Sequence, residues 1–330
     1  MPTHEPGLTA RGQDAAQPAA KPAGFPPLLK IGAFPPAIEE QFLSVFTLVD
    51  GESLRRDPSQ AERIGGIVTR SNYRISTELI DSLPNLRIIT TSGVGYDGIP
   101  VDYAARKGIV VTNTPDILNK AVAELAIGLL LALLRHLPAA DRFVRTGAWT
   151  RELFPLGTNL AGKKIGIVGL GRIGMEIVQR VLPFEVDVAY YGRRAQAVPW
   201  QYFDSLPALA EHADVLILSC PGGAATRHIV DATVLKSLGA DGIVVNISRG
   251  TVIKETDLCQ ALADGTIRGA ALDVFDTEPL LDSPLRSLPN VVLSPHIGSA
   301  TQETRRQMAD LAIRNLAAFF TTGKAVTPVK

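Results

Sequence analysis

Short apolar runs alternate with stretches whose apolar residues recur at helical spacing, and this alternation governs most of the 330 residues. Before Asn113, the runs Leu28–Ile31, Ile67–Val68, Leu86–Thr90 and Ile109–Val111 predict strands, and Pro36–Phe46, Ser76–Ser82 and Val101–Lys107 predict helices. After Lys163 the strand-like runs are Ile165–Val168, Val186–Tyr191, Val215–Ser219, Ile243–Asn246, Ala270–Val274 and Val291–Ser294. Strands alternating with helices imply an α/β protein with parallel sheets, and six strands in the second half match a doubly wound dinucleotide fold. Between the halves, one long helix is predicted from Ile117 to about Arg145, apolar nearly all round. Such a helix has to be covered on several faces, by another domain or a second subunit. Residues 1–27 are rich in Ala, Pro, Gly and Gln and predict a mobile tail.

The run Ile165–Val168 leads into Gly169, Gly171 and Gly174, spaced G-x-G-x-x-G, and a helical pattern follows through Ile173, Ile177, Val178 and Val181. This is the strand, turn and helix start of a dinucleotide-binding unit. The glycines divide the work: a tight turn, a bare backbone facing the pyrophosphate, and close helix–strand packing. The helix N-terminus supplies N–H groups and partial positive charge to the phosphates. At the end of the next strand an Asp or Glu would bind the ribose 2′-hydroxyl of NAD, but Gly192-Arg193-Arg194 stands there. Two arginines at that place suit a 2′-phosphate, which predicts NADP, with NAD as the alternative.

Ligands in such sheets bind beyond the carboxyl ends of the strands. Ile247-Ser248-Arg249-Gly250, Phe275-Asp276-Thr277-Glu278-Pro279 and Pro295-His296-Ile297-Gly298-Ser299 each follow a predicted strand. A cation, a carboxylate and an imidazole are thereby expected at one sheet edge. They suit carbonyl reduction by hydride: His296 supplies the proton, Glu278 fixes its tautomer, and Arg249 polarises the carbonyl and holds a neighbouring carboxylate. In the first half, the Gly-rich loop Ser92–Asp97 exposes backbone N–H groups suited to a carboxylate. No G-x-S-x-G nucleophile elbow is present, so serine hydrolysis fits poorly.

Composition narrows this further. Thirty-three basic residues balance 33 acidic ones, which gives no argument for nucleic acid or an anionic membrane as a partner. Cys220 and Cys259 lie in apolar runs without metal-ligand spacing, so neither a disulfide scaffold nor a metal site is expected. The segment Ala121–Leu134 is short for a membrane span and carries Glu124. Nothing near the N-terminus resembles a signal peptide, and a cytoplasmic protein is expected.

Six ordered motifs resemble the D-isomer-specific 2-hydroxyacid dehydrogenases: Val-Gly-Tyr-Asp at 94–97, Ala-Glu-Leu-Ala at 123–126, Gly-Leu-Gly-Arg-Ile-Gly at 169–174, Asn-Ile-Ser-Arg-Gly at 246–250, Leu-Asp-Val-Phe-Asp-Thr-Glu-Pro at 272–279 and Ser-Pro-His-Ile-Gly-Ser-Ala-Thr at 294–301. Within that family the chain looks most like the NADPH-dependent glyoxylate/hydroxypyruvate and hydroxyphenylpyruvate reductases. The resemblance implies two Rossmann-like domains. One is a doubly wound dinucleotide-binding domain over residues 116–298. The other is a smaller, flavodoxin-like substrate domain, discontinuous over 28–115 and 299–330, which takes back a final helix at about Thr301–Thr322. It implies that Arg249 binds substrate, that Glu278 pairs with the proton donor His296, and that Val94 and Gly95 hold the substrate carboxylate. It further implies cofactor contacts at Gly169, Gly171, Arg172, Ile173, Gly174, Arg193, Arg194, Cys220, Thr226, Ile247, Asp273, His296 and Gly298, with Asp273 on the nicotinamide carboxamide. A homodimer joined through the dinucleotide domains is expected.

One loop departs from the family. Where Leu-Thr-Pro-Glu-Thr usually follows Cys220-Pro221, this chain has Gly222-Gly223-Ala224-Ala225-Thr226, which puts cofactor contacts other than Thr226 in doubt. The leading expectation is an NADPH-dependent reductase of small 2-keto acids such as glyoxylate and hydroxypyruvate. An aryl-pyruvate reductase is the alternative, set by a pocket that Arg70–Tyr73 and Trp149–Leu156 line or cap. A cofactor-sensing, corepressor-like binding protein is the reading from another class. The chain is expected to lack the C-terminal regulatory domain that D-3-phosphoglycerate dehydrogenases often carry.

Overall fold

The computed structural model describes residues 24–329 and contains two parallel sheets. The first joins β1 (Leu28–Lys30), β2 (Leu48–Asp50), β3 (Gly66–Thr69), β4 (Ile88–Thr91) and β5 (Val110–Thr112) in the order β2-β1-β3-β4-β5. The second joins β6 (Lys164–Val168), β7 (Asp187–Tyr191), β8 (Gln201–Phe203), β9 (Val215–Leu218), β10 (Ile243–Asn246), β11 (Gly269–Leu272) and β12 (Val291–Leu293) in the order β12-β11-β10-β9-β6-β7-β8. In that sheet the chain leaves β6 outward through β7 and β8, then returns to β9 on β6's other side. The strand order therefore reverses between β6 and β9, which opens a crevice beyond their carboxyl ends.

Two strands escape the apolar pattern, so the second sheet has seven strands rather than six and the first five rather than four. β2 has a single buried residue, Val49, and β8 begins with an exposed Gln201 at the sheet edge. Runs that short and polar leave too little periodicity to be seen. By contrast β3, β9 and β10 are buried at every position, as strands covered on both faces must be.

The long helix predicted over 117–145 is two helices, Asn119–Leu134 and Leu137–Arg145, bent by 59° at the break. His136 adopts a left-handed backbone (φ 52°), and Pro138 follows in the first turn of the second helix. Proline has no N–H to give and its ring clashes with the carbonyl four residues back, so the first helix cannot continue through it. The first segment is a core helix: Val122, Ala126, Leu130 and Leu133 pack on Ile165, Ile167 and Val245. The second segment buries no residue and carries exposed Leu137 and Val144. Among the described residues no single helix is long and apolar enough to cross a membrane.

The last helix, Gln302–Thr322, returns to the first sheet, where Ala309, Ala312, Leu316 and Phe319 pack against Leu28, Val68 and Ile88. The following segment is fastened too: the Val329 N–H donates to the Val111 carbonyl at 2.8 Å, and the Asn315 amide donates to Thr327 Oγ1 at 2.8 Å. Residues 1–23 of the expected tail lie outside the described residues. Phe25, however, stacks on Phe46 at 5.2 Å and Phe320 at 5.9 Å between ring centroids, so packing begins a few residues before the first strand.

Candidate active site

The three glycines of the 169–174 turn meet three different demands. Gly169 has φ 96°, and a Cβ there would lie 2.7 Å from the Cys220 backbone. Gly171 faces open space, whereas a Cβ on Gly174 would lie 2.5 Å from the Gly169 carbonyl oxygen. Turn, bare approach and close helix packing are thus all present. The helix Arg172–Val181 has no side-chain cap at its N-terminus, which leaves first-turn N–H groups for an anion. Beyond β7, Arg193 and Arg194 are exposed on a loop held by the Gln196 N–H to Tyr190 Oη at 2.7 Å and by Tyr202 Oη to the Gly192 carbonyl at 3.2 Å. An uncapped helix start after β6, with two exposed arginines on an anchored loop after the neighbouring strand β7, fits a phosphate-bearing dinucleotide.

Beyond β10, β11 and β12 the expected side chains converge. His296 Nδ1 lies 2.7 Å from Glu278 Oε2, and the other Glu278 oxygen accepts from the Phe275 N–H at 3.2 Å. Burial pushes the Glu278 carboxyl up, but the His296 bond and charge, the Phe275 N–H and the Arg249 charge outweigh it and hold it below the usual glutamate range. A carboxylate only accepts, so Nδ1 carries the hydrogen and Nε2 is the nitrogen left to exchange a proton with a ligand. His296 sits at φ 53°, a left-handed conformation rare for a residue with a Cβ. Asp273 explains how that turn is held. Its carboxylate accepts from the Ile297 and Gly298 N–H groups, each at 2.8 Å, and from Ser294 Oγ at 2.6 Å. Burial raises the Asp273 pKa, against these donors. A brace for the histidine turn is a role that sequence comparison did not suggest for Asp273.

Arg249 reaches across to the first sheet's loop. Nε and Nη2 donate to Asp97 at 3.2 and 3.1 Å, and Nη1 donates to the Ser248 carbonyl at 2.7 Å. A Cβ on Gly95 would lie 1.6 Å from Arg249 Nη2, so the guanidinium rests on the glycine itself. Val94 packs against the second sheet's core, and its carbonyl accepts from the Asn113 amide at 2.8 Å. The structure therefore brings Val94, Gly95, Arg249, Glu278 and His296 together. Asp97 is the partner that the sequence reading overlooked, although it stands in the quoted Val-Gly-Tyr-Asp motif.

Other expected contacts are otherwise engaged. Arg172 pairs with Asp116 at 2.9 Å, an exposed ion pair of small energetic weight. Thr226 Oγ1 donates to the Pro221 carbonyl at 2.6 Å and closes the divergent loop on itself. Ile247 is buried, and burial pushes the Cys220 thiol to about 11, so it is a neutral packing group. Trp149, Leu153 and Leu156 are exposed on this chain, the leucines almost completely.

This geometry has close relatives. A model of the D-isomer specific 2-hydroxyacid dehydrogenase NAD binding domain matches residues 127–298. The chain is 46% identical over 267 residues to glyoxylate/hydroxypyruvate reductase A of Arabidopsis thaliana, covering 81% of this chain and 85% of that one. The chain belongs to the D-isomer-specific 2-hydroxyacid dehydrogenases. It is also 44% identical to hydroxyphenylpyruvate reductase of Plectranthus scutellarioides, covering 82% of this chain and 87% of that one. Among solved structures, the NADPH-dependent glyoxylate/hydroxypyruvate reductase of Sinorhizobium meliloti, in complex with NADP and malonate, superposes with a TM-score of 0.88 at 43% identity, covering 92% of this chain and 96% of that one. As a member of this family of dehydrogenases, the protein is an NAD(P)-dependent oxidoreductase.

Proposed function

We propose that the protein reduces small 2-keto acids, glyoxylate and hydroxypyruvate first among them, to D-2-hydroxy acids with NADPH. The observation that carries this reading is the His296–Glu278 pair, 2.7 Å apart, on the edge where Arg249 rests against Gly95. The bound nicotinamide supplies the hydride. The Val94 and Gly95 loop holds the substrate carboxylate on backbone N–H groups. The Arg249 guanidinium draws the keto oxygen and stabilises the negative charge that grows there. His296 delivers the proton from Nε2 while Glu278 keeps Nδ1 protonated and the ring oriented. The activities of the reductases this chain resembles and the NADP-bound neighbour support both substrate class and cofactor.

The same reading divides the chain into a substrate domain of residues 28–115 and 299–330 and a dinucleotide domain of 116–298. It pairs two copies through the segment Leu137–Leu156, whose apolar Leu137, Val144, Trp149, Leu153 and Leu156 are exposed on one chain. A cytoplasmic setting belongs to it as well, in keeping with two cysteines that stand free. The experiment is NADPH and NADH oxidation with a panel of 2-keto acids that includes hydroxyphenylpyruvate. Turnover of glyoxylate or hydroxypyruvate, lost in His296→Asn and faster with NADPH, is expected. Turnover of aryl-pyruvates alone would move the substrate class, and no oxidation with any 2-keto acid would remove the reading.

A further inference from the structure

Glu278 stands on a segment that its own backbone does not fasten. Between Phe275 and Ser283 the chain is neither helix nor strand, and among the described residues 276–282 make no backbone–backbone hydrogen bond. The segment runs over the surface, with Leu280 packed on the second sheet's core and the Leu281 carbonyl accepting from Arg286 Nη1. Proton transfer needs better placement than that, because a misplacement of about 1 Å can cost about a hundredfold in rate.

Glu255, the first residue of the helix Glu255–Ala263 and no member of the catalytic trio, supplies it. Its Oε1 accepts from Ser283 Oγ at 2.7 Å, and its Oε2 accepts from the Asp276 N–H at 3.4 Å. One carboxylate thus takes a donor from each end of the segment, with Glu278 between them. The hydroxyl bond is short and charge-assisted, and so the stronger of the two. The base of this clasp is firm, since Leu258, Ala261 and Leu262 bury the helix in the second core. The near end is held from a second side. A Cβ on Gly250, next to Arg249, would lie 1.8 Å from the Phe275 carbonyl carbon, so the two backbones touch. The Phe275 N–H in turn donates to Glu278 Oε1 at 3.2 Å.

We propose that Glu255 is a positioning residue for proton transfer: it clasps both ends of the 276–282 segment and thereby holds Glu278 against His296 Nδ1. It acts through Glu278 and not on the ligand. The consequence for turnover rests on the proposed role of the His296–Glu278 pair, whereas the holding of Glu278 stands apart from it.

The test joins glyoxylate reduction to amide exchange on the full chain. Glu255→Ala lowers kcat by about tenfold or more and changes the KM for glyoxylate by less than about threefold, because Arg249 and the Val94–Gly95 loop stay in place. Glu255→Gln keeps an acceptor for Ser283 and recovers part of the loss. Ser283→Ala reproduces part of it with the helix start unaltered. In a Glu278→Gln background, Glu255→Ala costs less than about twofold, since the charge it positions is gone. A kcat within about twofold of wild type in Glu255→Ala, or an equal loss in both backgrounds, overturns the assignment. Exchange needs no turnover. The Phe275 N–H, whose acceptor is Glu278 itself, exchanges about tenfold faster or more in Glu255→Ala and Ser283→Ala, while the Asp273 N–H, bound to the Asn246 carbonyl, keeps its rate. Unchanged exchange at Phe275 in both variants overturns the clasp. Faster exchange there in a protein that turns over no 2-keto acid keeps the clasp and removes the reductase reading.

Discussion

Arg249 and Asp97, 152 residues apart in the chain, are joined through Nε and Nη2 of the guanidinium and one carboxylate edge, which ties the Ser92–Asp97 loop of the first sheet to the segment that follows β10. The pair is partly exposed, with 23% and 37% of the two side chains accessible, so its contribution to stability is small. Its value lies in holding a flexible side chain in one rotamer over Gly95.

Asp97→Asn is therefore expected to separate activity from stability. We expect kcat/KM for glyoxylate to fall about tenfold, or about 1.4 kcal/mol of lost positioning, while unfolding free energy changes by less than about 1 kcal/mol. Steady-state kinetics beside a urea melt check this. An activity loss matched by an equal loss of stability would make Asp97 a structural residue only.

Gly222 is where this chain departs from the family loop, and its absent side chain gives Arg249 room: a Cβ there would lie 2.7 Å from Arg249 Cγ. Gly222→Leu should push the stem of Arg249 away from the direction that brings it to Asp97. Residues acting through one contact are not additive. Asp97→Asn should then cost less kcat/KM in the Gly222→Leu background than alone, and a double-mutant cycle measures the difference. Strict additivity would sever the link between loop departure and ion pair.

Most of the site's positions follow from local pattern. Gly169, Gly171 and Gly174 announce themselves by spacing, and Arg249, Glu278 and His296 each stand just past an apolar run, where a doubly wound sheet presents its ligand edge. What escapes is whatever depends on a distant partner. Asp97 reads as one more loop acid until the fold brings Arg249 to it. β8 is legible only once β7 lies beside it, because Tyr190 pairs with Tyr202 across the ladder and their rings lie 5.4 Å apart. The break at His136 is the one local signal that was present and passed over: Pro138 stands inside the apolar pattern, and a proline there ends a helix.

Cys220 lies at the end of β9 beside the cofactor turn, where an accessible thiolate would be a hazard. Burial raises its pKa to about 11, with the Ser248 bond acting the other way. At pH 8 about one thiol in a thousand is then ionised, against roughly a quarter for a free cysteine. Iodoacetamide at pH 8 is expected to label Cys259 before Cys220, as read by peptide mass mapping. Rapid labelling of Cys220 in the folded protein would contradict its burial.

Glu278 gives the acid-side behaviour of the site. Its burial favours the neutral acid, but the His296 bond and charge, the Phe275 N–H and the Arg249 charge prevail, so its folded pKa lies below its unfolded value. A depressed carboxyl adds stability that is fully present above the unfolded pKa, about 4.3 for glutamate, and disappears as pH falls through the folded value. Glu278→Gln removes this one titration and leaves the background of other carboxylates intact. The difference in Tm between wild type and Glu278→Gln should therefore move against the wild type as the pH drops from about 5.5 towards 3. Melts of both proteins across that window measure it. A difference that stays flat would show that Glu278 has the same pKa folded and unfolded, and the charge pairing with His296 would then contribute nothing on folding.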